Sequence, residues 1–100
     1  MEITDIRITL VHDDDRLKAF VIVCVNGIVI RDVKVIDDGK ALFMSLPTKM
    51  LKNGNHRDIV YPANREGLRQ LNQTVLKAYT EKLEAEAKSA RDNQKEIVHA

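Results

Sequence analysis

Apolar and polar residues alternate at the beginning of the chain. Ile6, Ile8 and Leu10 are separated by polar side chains, and this period of two is typical of a β-strand with one buried face. Residues 17–25 are instead apolar at most positions, as in a central strand that is covered on both faces. The pattern therefore predicts two neighbouring strands, with the polar residues 12–15 as the turn between them.

Short turn sequences separate the next apolar stretches. Asn26 and Gly27 favour the positive φ angles of a two-residue hairpin, and the β-rich residues 28–36 lead back from it. Residues 37–39, Asp-Asp-Gly, predict another turn, which leads into a strand within residues 41–46. Successive hairpins imply an antiparallel meander.

The apolar period changes after Pro62. Steps of three and four residues indicate one apolar stripe along a helix, formed by Leu68, Leu71, Val75, Tyr79 and Leu83. Asn64 is suited to cap the beginning of this helix. We therefore predict an α+β fold, an antiparallel meander of four to five strands followed by a long C-terminal helix that lies on the sheet.

Two features of this helix leave alternatives open. Arg69, Gln73 and Lys77 line a strip beside the apolar stripe, where composition alone favours a solvated face. Beyond Leu83 the sequence keeps high helix propensity but offers little to bury, so residues 84–100 either extend as helix against a partner subunit or fray. In the runner-up fold the helix reaches over a neighbouring subunit.

The length of 100 residues predicts one small domain. This domain covers residues 1–83, with strands within residues 2–62 and the helix from residue 64, and residues 84–100 form a polar extension. A small sheet with one helix leaves an uncovered face or a free edge. A two-fold partner would cover either, so we expect a homodimer.

Residues 41–62 combine a strand, a basic loop, a second strand and a proline stop. Pro47 must end the first strand or place it at an edge, because its nitrogen cannot donate a hydrogen bond. Four basic side chains surround the turn sequence Asn53-Gly54: Lys49, Lys52, His56 and Arg57. Basic loops are common, and this loop alone favours a solvated hairpin tip.

The charge distribution adds to this picture. The net charge is +1, but residues 41–79 hold six basic and two acidic residues, whereas residues 1–40 and 80–100 carry net charges of −2 and −1. A locally positive segment can bind polyanions in spite of a neutral total. We therefore expect phosphate contacts from the hairpin and the beginning of the helix, through Lys49, Lys52, Arg57, Arg65 and Arg69. The first helical turn adds unpaired N–H groups that can bind anions.

The order of several short motifs resembles one known family. The central segment carries Pro47, Lys49, Asn53-Gly54, Arg57-Asp58-Ile59 and Pro62 in the order of the family signature P-[ST]-K…G…R-D-I…H-P. Flanking motifs agree: Thr4-Asp5-Ile6-Arg7, Val35-Ile36-Asp37, Leu42-Phe43 and Val75-Leu76-Lys77-Ala78-Tyr79. Over residues 1–83 the chain resembles the stage V sporulation protein G (SpoVG) family. It departs from the family pattern at Met50, at Tyr61 and at Leu68-Arg69.

This resemblance implies a bacterial regulatory protein that binds DNA, with RNA as a further class of ligand. Its role would lie in septation, sporulation or gene expression, and its assembly would be a homodimer. Arg7 is added to the expected phosphate contacts through the family motif. An interaction module without nucleic-acid binding, which recruits protein partners through its sheet edges and polar helix, remains the alternative function.

Catalytic and metal sites find little support in the sequence. His12, His56 and His99 are not in metal-ligand spacing, and no phosphate-binding glycine loop or nucleophile motif is present. Residues 12–15 lack the later glycine and glutamate of a calcium loop, so a solvated turn is favoured. We expect no enzyme activity, cofactor, bound metal or small-molecule substrate.

The remaining sequence features concern localisation. Cys24 is the single cysteine, which excludes an intramolecular disulfide and suits a reducing compartment. No signal sequence opens the chain, and no apolar run approaches the length of a membrane span. We therefore expect a cytoplasmic protein without membrane contact.

Overall fold

A computed structural model describes the backbone of residues 1–99 and the side chains of residues 1–89. The elements are β1 (Ile3–Leu10), β2 (Leu17–Val25), β3 (Ile28–Asp37), β4 (Leu42–Ser45), β5 (Thr48–Met50), β6 (His56–Asp58) and α1 (Arg65–His99). Strands β1 to β4 form an antiparallel sheet in chain order, and β5 pairs with β6 in a separate two-stranded sheet. The predicted α+β fold is confirmed, with the basic hairpin as a sheet of its own.

The β2–β3 turn has the conformation that its sequence predicts. Asn26 and Gly27 have φ angles of 49° and 80°, which a two-residue hairpin turn needs and which these residue types tolerate. The Asn26 side chain also accepts a hydrogen bond from the Glu2 N–H at 2.9 Å, and the Asn26 N–H donates to the Glu2 carbonyl. The turn therefore holds the beginning of β1 in place as well as joining two strands.

The core lies on one side of the four-stranded sheet, between the sheet and α1. Its sheet residues are small and mostly β-branched: Ala19, Val21, Val23, Val33 and Val35. Their counterparts on α1 are Leu71, Val75 and Tyr79, spaced four residues apart and all buried. Because residues four apart share one face of a helix, three turns of α1 are enough to cover the centre of the sheet.

Helix α1 begins where its sequence predicts. The Asn64 side-chain oxygen accepts the Gly67 N–H at 2.8 Å, and the Asn64 carbonyl accepts the Leu68 N–H at 3.1 Å, which confirms Asn64 as the cap. Leu68 and Leu83, the ends of the predicted stripe, remain 47% and 43% exposed. The helical backbone continues past Leu83 to His99, and Ala100 lies outside the described residues. Within residues 1–99, no helix has an apolar stretch long enough to span a bilayer.

The second face of the sheet, which points away from α1, is not covered by another element of the described chain. Its apolar residues alternate with the core residues along the same strands: Phe20, Ile22, Cys24, Val29, Ile36 and Phe43. We call this surface the outer face. Phe20 and Phe43 are 44% and 38% exposed. The prediction that residues 17–25 are covered on both faces is therefore wrong for one chain, because the single helix covers one face only.

Acidic loops gather at the end of the sheet where β1 meets β2 and β3 meets β4. Asp14 Oδ1 accepts the Arg16 and Leu17 N–H groups at 2.8 Å each, and Asp38 Oδ1 accepts the Lys40 and Ala41 N–H groups at 2.9 and 3.0 Å. The hydrogen bond from Leu17 is the main cause that lowers the pKa of Asp14, and the bond from Lys40 does the same for the pKa of Asp38. Both carboxylates therefore organise turns.

The same end of the sheet is joined to α1. His12 Nε2 lies 3.0 Å from Glu86 Oε1, and both side chains are largely exposed. Helix α1 thus runs from the end that holds Met1 and the β2–β3 turn, where Gln70 Nε2 donates to the Met1 carbonyl at 2.8 Å, to the acidic end. The acidic loops and the beginning of α1 therefore lie at opposite ends of the sheet.

Val75→Ala should test the one-sided core. Val75 is fully buried, so loss of two methyl groups should destabilise the fold by about 2 kcal/mol, slightly offset by the better helix propensity of alanine. For a domain of this size the melting temperature should fall by about 10 °C at fixed protein concentration. Leu83→Ala, at a half-exposed position of the same stripe, should shift it by less than half as much. Equal shifts would contradict the assignment of the core.

The two turn carboxylates predict a specific dependence on pH. Their folded pKa values lie below the ordinary value of 3.8, so their stabilisation is present above that value and is lost as pH falls through the folded pKa. Wild type should therefore lose melting temperature more steeply below about pH 4 than the Asp14→Asn/Asp38→Asn variant. Asp13→Asn/Asp15→Asn removes the same charge and should keep the steep fall. If both variants flatten the curve equally, general charge repulsion and not turn hydrogen bonding is the cause.

Candidate nucleic-acid interface

The basic hairpin is anchored to the domain at its base. Strand β4 ends at Ser45, and Leu46 packs against the core while Pro47 is buried. The Pro47 carbonyl accepts the Ile59 N–H at 2.9 Å, which closes the base of the hairpin. Proline thus stops β4, as predicted, and then positions the next two strands.

Two cations face each other across this hairpin. Lys49 on β5 pairs directly with Arg57 on β6, and both are exposed. The hydrogen bond between Pro47 and Ile59 lies two residues away, which makes Lys49 and Arg57 a hydrogen-bonded pair with Cα atoms about 5.5 Å apart. Directly opposed residues project to the same side of a sheet, so both charges lie on one face of the hairpin.

The tip of the hairpin is a compact turn that carries Lys52. The Leu51 N–H donates to the Asn55 carbonyl at 2.7 Å, and the Gly54 N–H donates to the Leu51 carbonyl at 3.0 Å. Gly54 has a φ angle of 86°, which explains the glycine at this position. Lys52 is exposed at the tip. The structure therefore places three of the predicted residues on one hairpin, with Lys49 and Arg57 on its strands and only Lys52 in its loop.

The other predicted cations lie outside the hairpin. Arg65 is the first residue of α1 and Arg69 follows one turn later, and both are exposed. The segment from Ile59 to Asn64 joins them to the hairpin. Cations near the positive end of a helix are unfavourable for the helix dipole, and Glu66 in the first turn offsets part of this effect.

Arg7 lies in a different place. It is on β1, at the edge of the sheet opposite to β4, the strand that leads into the hairpin. Its Nε lies 3.3 Å from the Asp5 carboxylate, with side chains 77% and 55% exposed. The structure thus brings Lys49, Lys52 and Arg57 together and places Arg7 on the far side of the sheet, already next to an acidic partner.

A further cation lies near the base of the hairpin, where the sequence did not indicate one. Arg31 on β3 lines a groove of about 490 Å³ together with Pro47 and Ile59. Its sequence neighbours are the strand residue Ile30 and the acidic Asp32, so no motif distinguishes it. Arg31 lies near the hairpin base because the chain passes back beside β3 after β6.

The family assignment rests on most of the chain. The SpoVG family profile matches residues 1–81. This chain belongs to the SpoVG family. The match includes the four-stranded sheet, the basic hairpin and the part of α1 that packs on the sheet, so the cations discussed above all lie within it.

Individual SpoVG relatives agree over similar lengths. A protein of Acholeplasma laidlawii with the name "Putative septation protein SpoVG" is 39% identical over 88 residues, which is 87% of this chain and 94% of the relative. A relative from Listeria monocytogenes is 40% identical over 80 residues, 79% of this chain and 78% of its own length. One from Desulforudis audaxviator is 36% identical over 87 residues, 86% of this chain and 99% of the relative.

The direct pairing of Lys49 with Arg57 predicts that charge repulsion weakens the hairpin. Like charges directly across a strand pair destabilise it, so Lys49→Gln should stabilise the pairing of β5 with β6. The Ile59 amide, which is bonded to Pro47, should then exchange its hydrogen about twofold more slowly at low salt. The difference should vanish at high salt, and Lys40→Gln should leave the amide unchanged. Faster exchange in Lys49→Gln would contradict a repulsive pair.

Proposed function

We propose that this SpoVG-family chain is a bacterial regulatory protein that binds nucleic acid through phosphate contacts, as a homodimer, with a role in septation, sporulation or gene expression. The septation link comes from the names of its relatives. The binding proposal rests on one observation, the direct pairing of Lys49 with Arg57 on a short exposed hairpin.

Two like charges side by side do not stabilise the hairpin. Its strands have three residues each, all exposed, so the repulsion is not offset by burial of these residues. A phosphate group placed between the two side chains would replace repulsion by two attractions. Arginine can bind one phosphate through two N–H groups, and lysine supplies a mobile point charge beside it. Lys52 at the tip would then reach a neighbouring phosphate.

The beginning of α1, which residues 59–64 join to the hairpin, supplies two more cations. Arg65 and Arg69 share one side of the helix, four residues apart, and the first turn contributes backbone N–H groups that have no acceptor within the helix. Contacts of this kind bind the backbone and not the bases, so we expect weak sequence preference and affinity for both DNA and RNA.

A salt series separates this proposal from general charge attraction. Each lost phosphate contact should reduce the slope of log affinity against log salt by about 0.9 on duplex DNA. The triple variant Lys49→Gln/Lys52→Gln/Arg57→Gln should therefore bind more weakly than wild type, with a slope smaller by about 2.7 for each engaged protomer. Circular dichroism and melting should show an intact fold.

The matched control is Lys40→Gln/Lys82→Gln/Lys88→Gln, which removes the same charge from exposed positions outside the hairpin and helix start. It should keep the wild-type slope. If the hairpin variant binds like wild type, or only the control loses binding, the hairpin is not the interface. If wild type binds no nucleic acid at any salt concentration, the chain is better described as a protein interaction module.

A further inference from the structure

Tyr61 is an aromatic side chain that the fold leaves in water. It is 70% exposed, the largest exposed fraction among the large apolar side chains that the structure describes. The second tyrosine of the chain, Tyr79, is buried in the core. Pro62 follows Tyr61 and favours extended backbone at the residue before it. Because a tyrosine side chain has only two torsions to fix, its ring offers a ligand a large contact area at low entropic cost.

Tyr61 borders a pocket of about 480 Å³ between the beginning of α1 and the sheet. We call it the helix-start pocket. Val25 and Ile30 of the sheet and Leu71 of α1 belong to its lining. A volume of this order lies within the range of small-molecule sites. An aromatic ring at the border of a partly apolar pocket suits a flat ligand that can stack on it.

Three polar side chains complete the lining of the helix-start pocket. The Asn64 side-chain oxygen accepts the Gly67 N–H, and Gln70 Nε2 donates to the Met1 carbonyl, at 2.8 Å each, so the protein itself holds these two side chains. Glu66 adds an exposed carboxylate. A carboxylate repels phosphate groups but accepts hydrogen bonds from the amino groups of cytosine and adenine. The pocket therefore suits a nucleobase and not a phosphate group.

Cations lie next to the helix-start pocket. Arg65 is the first residue of α1. The groove of about 490 Å³ that contains Arg31 shares Val25, Ile30 and Val60 with the pocket, so the two are neighbours. The basic hairpin reaches the pocket through the segment that follows β6. Proteins that bind single strands combine cations for the backbone with aromatic side chains on which bases stack.

We propose that the helix-start pocket binds one unpaired base of a single-stranded nucleic acid. The base stacks on Tyr61, and its amino group donates a hydrogen bond to the Glu66 carboxylate. This inference rests on the proposed nucleic-acid binding and specifies its ligand: a single strand in preference to a duplex, with cytosine or adenine in preference to thymine or uracil at one position. A duplex keeps its bases inside the stack, and extruding one of them costs free energy.

Variants of Tyr61 test the stacking contact. Tyr61→Ala should weaken binding of oligo-dC about tenfold at neutral pH and fixed salt, whereas Tyr61→Phe keeps the ring and should bind as wild type does. A duplex of the same length should bind wild type and both variants equally. The matched control Ile59→Ala removes a 59% exposed apolar side chain from the neighbouring groove and should leave oligo-dC binding unchanged. Melting should show an intact fold in each case.

The salt dependence separates this contact from the phosphate contacts of the hairpin. Tyr61→Ala removes no charge, so its affinity for oligo-dC should be lower at every salt concentration with an unchanged slope. The hairpin triple variant should instead lose slope on the same strand. Normal binding by Tyr61→Ala together with a reduced slope in the triple variant would overturn the base pocket alone. No binding by wild type at any salt concentration would overturn the proposed function and this inference together.

Tyrosine fluorescence reports the contact directly, because the chain has no tryptophan. Tyr79→Phe leaves Tyr61 as the only fluorophore, and its emission, corrected for absorption by the strand, should be quenched when oligo-dC binds. Tyr61→Phe leaves only the buried Tyr79, whose emission should not change. Unchanged Tyr61 emission at saturation would overturn the stacking contact. If free dCMP quenches Tyr61 at the same concentration as the strand, the occupant is a free nucleotide, and the proposed strand is wrong.

The choice of base tests Glu66. Wild type should bind oligo-dC about fivefold more tightly than oligo-dT, since thymine lacks the amino group. Glu66→Ala removes a negative charge and should strengthen binding of both strands, but the ratio of the two affinities should approach one. Equal affinities in wild type, or a ratio that Glu66→Ala leaves unchanged, would overturn the hydrogen bond to the carboxylate.

Discussion

The contact between three turns of α1 and the valine-rich face of the sheet is the interaction on which the rest of the fold depends. Leu71, Val75 and Tyr79 close a core that contains no buried polar or charged residue among the described side chains. Short β-branched side chains on the sheet let the helix approach closely, and their stiff rotamers lose little entropy on packing. Every other element is placed by its connection to this two-layer unit.

Much of this fold could be predicted from the sequence, because the local signals agree with one another. The alternation at Ile6, Ile8 and Leu10, the Asn26-Gly27 turn and the Asn64 cap each specify one local geometry, and the structure has all three. The sequence could not indicate which face of β2 the helix covers. An apolar run has the same sequence pattern whether its second face packs on a helix, packs on a partner or is exposed to water.

The candidate site was predictable in part, for a similar reason. Lys49, Lys52 and Arg57 are close in sequence and flank a turn, so the hairpin brings them together by local geometry alone. Arg7 and Arg31 depend on strand order and on the return of the chain past β3, which are long-range properties. A sequence motif gives the order of residue types along the chain, but it does not show at which edge of a sheet a residue lies.

The acidic loops around Asp14 and Asp38 have a consequence for how the molecule meets a polyanion. They lie at one end of the sheet, with Glu86 beside His12, while the beginning of α1 with Arg65 and Arg69 lies near the other end. If the chain binds nucleic acid as proposed, the carboxylates at the acidic end would be repelled by a phosphate backbone, whereas Arg65 and Arg69 would be attracted to it. The arrangement would then favour an orientation in which the beginning of α1 faces the strand and the acidic turns face away.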